Sequence, residues 1–234
     1  MVLTKRIHYL LGFLATIGIL VTTLITAFEI AAYSDYAWYE KEYEKYQVLA
    51  ELEMEMSDVM EVTKEMMSYL RGNREDLIVH TIVDGKKQEF FNDREKAHMV
   101  DVRNLFVGGV RLRRGAVAIL ILTIGLLLVT KGDWKKVLPR SFLIGTGAIL
   151  AVTVAFSALI STNFNKYFTL FHELFFDNDL WLLDPSTDLL IRLLPEGFFS
   201  DMVIRIGITF SIGMVLLIVG SICMLKIKNI RCAR

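Results

Sequence analysis

Residues 115–130 read GAVAILILTIGLLLVT, a stretch with no charge and no polar face. A helix that is apolar all round belongs either in the middle of a large core or in lipid. The chain has 234 residues, 54% of them apolar, and few water-soluble domains are that apolar. Three more apolar runs accompany the first, and each is long enough or nearly long enough to cross a bilayer. Hydrocarbon demands that every backbone polar group be satisfied within the segment, so the runs read as four transmembrane helices at 9–32, 115–130, 142–161 and 203–225, the last strongly apolar from Ile206 onward. The second is short unless its flanks join it.

Net charge is zero, with 26 basic and 26 acidic residues, yet the charges are unevenly spread. Lys5, Arg6, Lys131, Lys135, Lys136, Arg140, Lys226, Lys228, Arg231 and Arg234 fill the N-terminal flank, the short KGDWKKVLPR loop at 131–141 and the tail at 226–234. Only one acid, Asp133, lies among them. The positive-inside rule places these segments in the cytoplasm, with both termini inside. Residues 33–114 and 162–202 then lie outside and form the two parts of an extracellular cap. The RLRR at 111–114 departs from the rule and reads as snorkelling at the outer end of the second span. Lys5 and Arg6 before a long apolar run, with no small-residue cleavage site after it, read as an uncleaved signal anchor. No lipobox cysteine follows.

Cys223 and Cys232 are the only cysteines, both at or beyond the inner end of the last span, so no disulfide framework is expected in the cap. Four scattered histidines and two cysteines make no zinc motif, and no metal or cofactor is expected. No span carries an acid or base near its centre, which argues against a channel or transporter.

The expected fold is mostly α, four spans plus a cap of helices and a small β-hairpin. The first outer segment opens with Tyr33, Tyr36, Trp38, Tyr39, Tyr43 and Tyr46, which read first as an interfacial aromatic belt; a site gripping lipid chains would use the same residues. A helix is expected over 47–70, with its methionines in packing roles. Asp84-Gly85 signals a type I′ turn that pairs His80 with Glu89 across a hairpin, a structural role for that histidine. Asn92 and Glu95 fit a capping box, so a helix should start there. Arg94, His98, Asp101 and Leu105 then share a face. This places a carboxylate one turn after the imidazole, an arrangement known from general acid–base sites. Taken alone, the window reads first as a solvated amphipathic face.

The second outer segment holds FHELFFDNDLWLLDP at 171–185. Its HEL is not a zincin motif, because Phe176 stands where the second histidine of H-E-x-x-H would be. DPSTD reads as a turn and helix cap. The stretch is too polar to span and too aromatic for an ordinary loop, so an amphipathic element on the membrane surface is expected. Glu29 and Arg205 fall near the outer ends of the first and fourth spans, at the same level.

Together, FNDREKAHMVDV before the second span and FHELFFDNDLWLLDP between the third and fourth resemble the bacterial lipoprotein intramolecular transacylase family. The resemblance implies a multi-pass protein of the bacterial plasma membrane, its cap extracellular. It also implies an activity on diacylglyceryl lipoproteins: transfer of the sn-2 acyl chain to the α-amine of the N-terminal cysteine, giving the lyso-form. The implied catalytic groups are His98 and His172. Asp101 is a candidate to orient His98, and Asp179, Asp184 and Asp188 either orient His172 or cap helices. Arg205 and Asn178 are oxyanion candidates. Tyr33, Tyr36, Trp38, Phe168, Phe171, Phe175, Phe176 and Trp181 are candidates to shape a greasy pocket. The expected partners are lipoprotein substrate and membrane lipids, not nucleic acid. A phospholipase or intermolecular lipid acyltransferase, and a non-enzymatic membrane sensor, are the competing readings.

Overall fold

The computed structural model describes residues 2–232; the side chains at 2–4, 148, 151–161 and 228–232 lie outside it, and with them much of the third expected span and the tail with Arg231, Cys232 and Arg234. In chain order the elements are α1 (Val2–Tyr33), α2 (Ala37–Lys45), α3 (Val48–Leu52), α4 (Met56–Arg71), β1 (His80–Val83), β2 (Lys86–Glu89), α5 (Asp93–Val129), α6 (Trp134–Thr162), α7 (Phe164–Phe175), α8 (Leu189–Leu193) and α9 (Glu196–Cys232). They divide into two compact units. The first takes Met1–Ile30, Val110–Thr162 and Ile206–Arg234, and the second takes Ala31–Gly109 and Asn163–Arg205.

In the first unit, α1 is the shared partner of the other helices. Small residues let the backbones approach, as expected where lipid gives no hydrophobic drive for helix association. A Cβ on Gly18 would sit 3.0 Å from the Ala116 carbonyl oxygen of α5, and one on Gly145 of α6 would sit 2.9 Å from Thr16. Ala15, Thr16 and Leu20 are buried along this seam. Away from it, Leu122, Ile208, Ile212 and Leu216 are exposed over most of their surface. Such apolar outer faces suit lipid and not water. Among the described residues, three helices are long and apolar enough to cross a membrane, within Lys5–Tyr33, Asp93–Val129 and Glu196–Ile227. Glu29 and Arg113 form an ion pair, so Arg113 does not snorkel as the sequence suggests; Arg111 and Arg114 remain exposed.

One continuous helix, α5, contains both the expected capping-box helix and the short second apolar run. Gly108 and Gly109 do not interrupt it, so the flank does join the span. The expected helix over 47–70 is broken, however. Glu53 adopts a left-handed conformation (φ 52°), ending α3, and its carbonyl accepts from the Asp84 amide of the hairpin. That tertiary contact overrides helix propensity. The hairpin has the expected register, His80 opposite Glu89, and its turn places Asp84 (φ 50°) and Gly85 (φ 67°) in the left-handed region, as a type I′ turn requires.

The core of the second unit is aromatic. Tyr39 and Tyr43 are fully buried in it with Phe90, Phe91, Leu193 and Phe198, so this part of the tyrosine cluster is core and not an interfacial belt. Buried hydroxyls need partners, and these have them: Tyr43 Oη meets Thr63 Oγ1 at 2.7 Å, and Tyr39 donates to the Ala32 carbonyl at 2.9 Å.

A carboxylate closes the unit. Glu95 is 0% exposed. Its Oε2 accepts from the Asn92 amide at 2.7 Å while Asn92 Oδ1 accepts from the Glu95 amide at 2.9 Å, a reciprocal capping box at the start of α5. Its Oε1 accepts from the Leu190 amide at 2.6 Å, in the first turn of α8. Asn92 also donates to Asp188 Oδ1 at 2.7 Å, and Asp188 Oδ2 accepts from the Asp184 amide at 2.7 Å.

Replacing Glu95 with Ala strands the buried Leu190 amide and the part-buried Asn92 amide. The expected loss is roughly 2–4 kcal/mol, seen as a lower melting temperature of the detergent-solubilised protein, with Glu95→Gln less damaging. Gly197→Ala should also destabilise, because its Cβ would fall 2.3–2.6 Å from the Tyr46 ring. Gly207→Ala, with open space around it, should leave the melting temperature unchanged or raise it.

Candidate active site

The capping box fixes the first turn of α5, and His98 follows on the next. It lies in the charged N-terminal part of α5, well before the apolar run at 115–130. His172 comes from α7, whose start is capped by Asn163 accepting from the Lys166 amide. At the other end of α7 the chain leaves the helix at Phe176, which is extended and turns inward to become buried. Phe176 meets the His98 ring edge-on at 5.3 Å. The residue that rules out a zincin therefore packs against both histidine rings.

His98 and His172 are both buried, and their ring centroids are 6.1 Å apart. Around His172, Phe168 packs edge-on at 4.4 Å and Trp181 lies nearly parallel at 5.0 Å. Phe171 adds an edge contact at 5.4 Å. Nδ1 of His172 is 2.7 Å from the Phe168 carbonyl. A carbonyl oxygen can only accept, so Nδ1 carries the proton and Nε2 of the neutral ring presents a lone pair. His98 differs: its Nδ1 is buried and has no hydrogen-bond partner among the described residues.

Burial governs the charge of the pair. His98 is pushed down to about 4, first by desolvation and then by the neighbouring His172; the Asp101 charge opposes this but does not win. His172 is also lowered by desolvation, opposed by its bond to the Phe168 carbonyl. Both rings are neutral at pH 7. Two proximate, neutral imidazoles in an apolar shell can accept a proton from one atom of a substrate and return it to another.

Not every candidate residue joins the pair. Asp101 Oδ2 accepts from Asn178 Nδ2 at 2.9 Å, so these two are partners beside His98. Arg94 donates to the Asp179 carbonyl, and its guanidinium is 3.8 Å from the Asp179 carboxylate. Asp184 is used on its own turn, accepting from the Ser186 amide and hydroxyl at 2.8 and 2.7 Å, so it does not orient His172. Arg205 lies over the Trp38 ring at 4.6 Å and 3.7 Å from Asp35, a different neighbourhood from the histidines. Among the described residues, Trp38 is linked to His172 through the rings of Phe198, Phe199 and Phe168 and does not touch it directly. Tyr33 has Arg71 over its face, and Tyr36 stacks on Tyr39, so both belong to the core side. Phe171 and Phe175 pack together at 4.8 Å on the exposed face of α7. The Phe168 carbonyl has no signature beyond its four-residue spacing from His172. Among the described residues, no three His, Cys, Asp or Glu side chains converge on a metal-holding group.

The family model of the lipoprotein intramolecular transacylase Lit matches residues 13–199. Among solved structures, the membrane integral lipoprotein intramolecular transacylase Lit from Bacillus cereus superposes with a TM-score of 0.77 at 21% identity, covering 97% of this chain and 99% of that one. Two variants of that protein, with one histidine changed to alanine or to arginine, give TM-scores of 0.74 and 0.75 at 21% identity; 97% of this chain is covered in both cases, with 97% and 96% of theirs. No curated protein matches. The solved structures show a common fold, and the family model spans most of the sequence: the chain belongs to the lipoprotein intramolecular transacylase family.

Proposed function

We propose that this protein moves the sn-2 acyl chain of a diacylglyceryl lipoprotein onto the α-amine of the same molecule's N-terminal cysteine, using His98 and His172 for proton transfer. The observation that carries the reading is the meeting of two buried imidazoles, 6.1 Å apart, inside an aromatic shell in a member of this family. The topology we propose with it has four spans, both termini in the cytoplasm, and residues 33–114 and 162–202 forming an extracellular cap; the charge asymmetry of the connecting segments supports it.

The reaction balances without a co-reactant. The amine nitrogen attacks the ester carbonyl carbon, forming a C–N bond. The tetrahedral adduct loses a proton from nitrogen, and the acyl–oxygen bond breaks as the glyceryl oxygen gains a proton. One amide and one free hydroxyl replace one amine and one ester. Nε2 of His172, whose tautomer is set by the Phe168 carbonyl, has the lone pair needed to take the proton. The amine of an N-terminus has a pKa near ~8, so its neutral fraction is already usable at pH 7. Because amine and ester arrive on one molecule, the protein's main contribution is to hold them together; well-oriented intramolecular attack is worth about 7–11 kcal/mol at its upper range. Phe168, Phe176 and Trp181 are the rings placed to fold the lipid head and exclude water.

The test is mass spectrometry of the N-terminal peptide of a reporter lipoprotein in a host that makes only the diacylglyceryl form. Expression of this protein should move one acyl chain to the cysteine nitrogen at unchanged total mass. Free fatty acid without an N-acyl product would overturn the reading in favour of a lipase. His98→Ala and His172→Ala should each lower the rate by about 10²–10⁴-fold, and normal product from either variant would remove that histidine from the mechanism.

A second prediction concerns stability. The unfolded imidazole of His98 titrates near 6.5 and the folded one near 4. Between these values the unfolded chain binds more protons, so stability falls as pH drops through the window and is independent of this group above it. The melting temperature of the wild type should decline below about pH 6.5, and the His98→Gln variant should show a shallower decline.

A further inference from the structure

The turn at 177–182 joins α7 to the Asp184–Asp188 knot, and two contacts bind it to α5. Arg94 donates to the Asp179 carbonyl, and Asn178 Nδ2 donates to Asp101 Oδ2 at 2.9 Å. Asp101 lies three positions after His98 on the same helix, close enough for its charge to act on the ring. A carboxylate in that position would ordinarily accept the N–H of the imidazole, orient it and raise its affinity for a proton. Here no such bond exists. Asp101 is engaged by the Asn178 amide, and His98 Nδ1 is buried with no hydrogen-bond partner among the described residues. An unpaired buried polar atom is costly, so a site that keeps one has a use for it.

We propose that Asn178 is a positioning residue: it holds the Asp101 carboxylate off His98 and so leaves a buried ring nitrogen unpartnered, its lone pair not taken up by the protein. Among the described residues, the titratable groups that act on His98 are His172 from α7 and Asp101 on α5, while Arg94 of α5 and Asp179 of the turn are paired to each other. Asp101 is thus the nearby anion whose freedom Asn178 controls. Without the amide, the carboxylate can swing to His98, close its open nitrogen and favour the imidazolium. The His98 ring would then be protonated at a pH where acyl transfer needs it neutral. Part of this rests on the proposed transacylase chemistry; the Asn178–Asp101–His98 coupling itself does not.

Two readouts separate those parts. Histidine-selective NMR of the detergent-solubilised full-length protein follows the His98 ring without any substrate, the signal being identified by its loss in His98→Gln. In Asn178→Ala the His98 titration should move up by about one pH unit or more, the size expected when a carboxylate gains contact with the ring. In the double variant Asn178→Ala/Asp101→Asn it should return to the wild-type position. A titration unchanged in Asn178→Ala, or equally raised in the double variant, overturns the proposal. The second readout is the acyl-transfer rate on a diacylglyceryl lipopeptide from pH 5 to 8. Asn178→Ala should lose several-fold more rate than the wild type at the acid end, through kcat more than KM, and the double variant should regain the wild-type pH dependence. A pH profile that superimposes on the wild type, with only a lower melting temperature, would make Asn178 merely structural. If Asn178→Ala does not fold, Asn178→Leu, matched in volume and lacking the amide, is read by the same criteria. Absence of acyl transfer by the wild type would count against the transacylase reading alone, since the NMR arm decides the coupling independently.

Discussion

Glu95 caps two helices at once, and the arrangement of the site depends on it. One carboxylate oxygen completes the capping box of α5, and the other accepts an amide in the first turn of α8. The natural cap of α8 would be Asp188, but its carboxylate is taken up by Asn92 and by the Asp184 amide. A buried carboxylate is tolerable only when hydrogen-bonded, and the exchange of partners satisfies both acids. The two helix starts come from sequence segments 95 residues apart. Their union fixes the His98 turn of α5 relative to the chain that follows α7, and with it the approach of His172.

The second constraint is dryness. Phe168, Phe171, Phe176 and Trp181 contact the His172 ring from several directions. Desolvation is therefore the leading influence on both imidazoles, and it outweighs the attraction of Asp101 for a proton on His98. The result keeps both rings unprotonated, at the cost of basicity, so that each holds a free lone pair. A ring near a solvated carboxylate would spend much of its time as imidazolium at mildly acidic pH. These rings stay neutral and present lone pairs, which suits an adduct whose nitrogen must lose a proton.

Local rules written in short windows were legible in the sequence. The Asn92–Glu95 box, the Asp84-Gly85 turn and the His80–Glu89 register all follow from near-neighbour chemistry, and all are present. What the sequence concealed was tertiary. Nothing local marks Glu53 as a helix stop, because the Asp84 amide that meets its carbonyl comes from the hairpin. Tyr39 and Tyr43 look like membrane-interface residues until Thr63 and the Ala32 carbonyl supply partners for their hydroxyls in the core. Arg113 looks like a snorkelling cation until Glu29 of α1 answers it. In the site, the two histidine motifs could be singled out, and Asp101 could be placed on the His98 face. That Asp101 faces Asn178, and that Asp184 serves only its own turn, are consequences of how a later segment folds back.

The continuity of α5 gives this arrangement a further physical meaning. His98 is carried on the same helix as an apolar run fit to cross a membrane, with no break between them. A histidine on a flexible loop would have to be ordered each time substrate bound, at a cost in conformational entropy. One on a continuous helix, anchored at its first turn by Glu95, has that ordering built in. Intramolecular acyl transfer asks for little else from the protein. The nucleophile and the electrophile are already tethered, so the remaining tasks are to hold them at reacting distance and to move one proton from nitrogen to oxygen. A continuous helix under His98, a fixed tautomer on His172 and an unpartnered ring nitrogen on His98, with Phe176 packed against both rings, are the features on which the proposed roles of the two histidines rest.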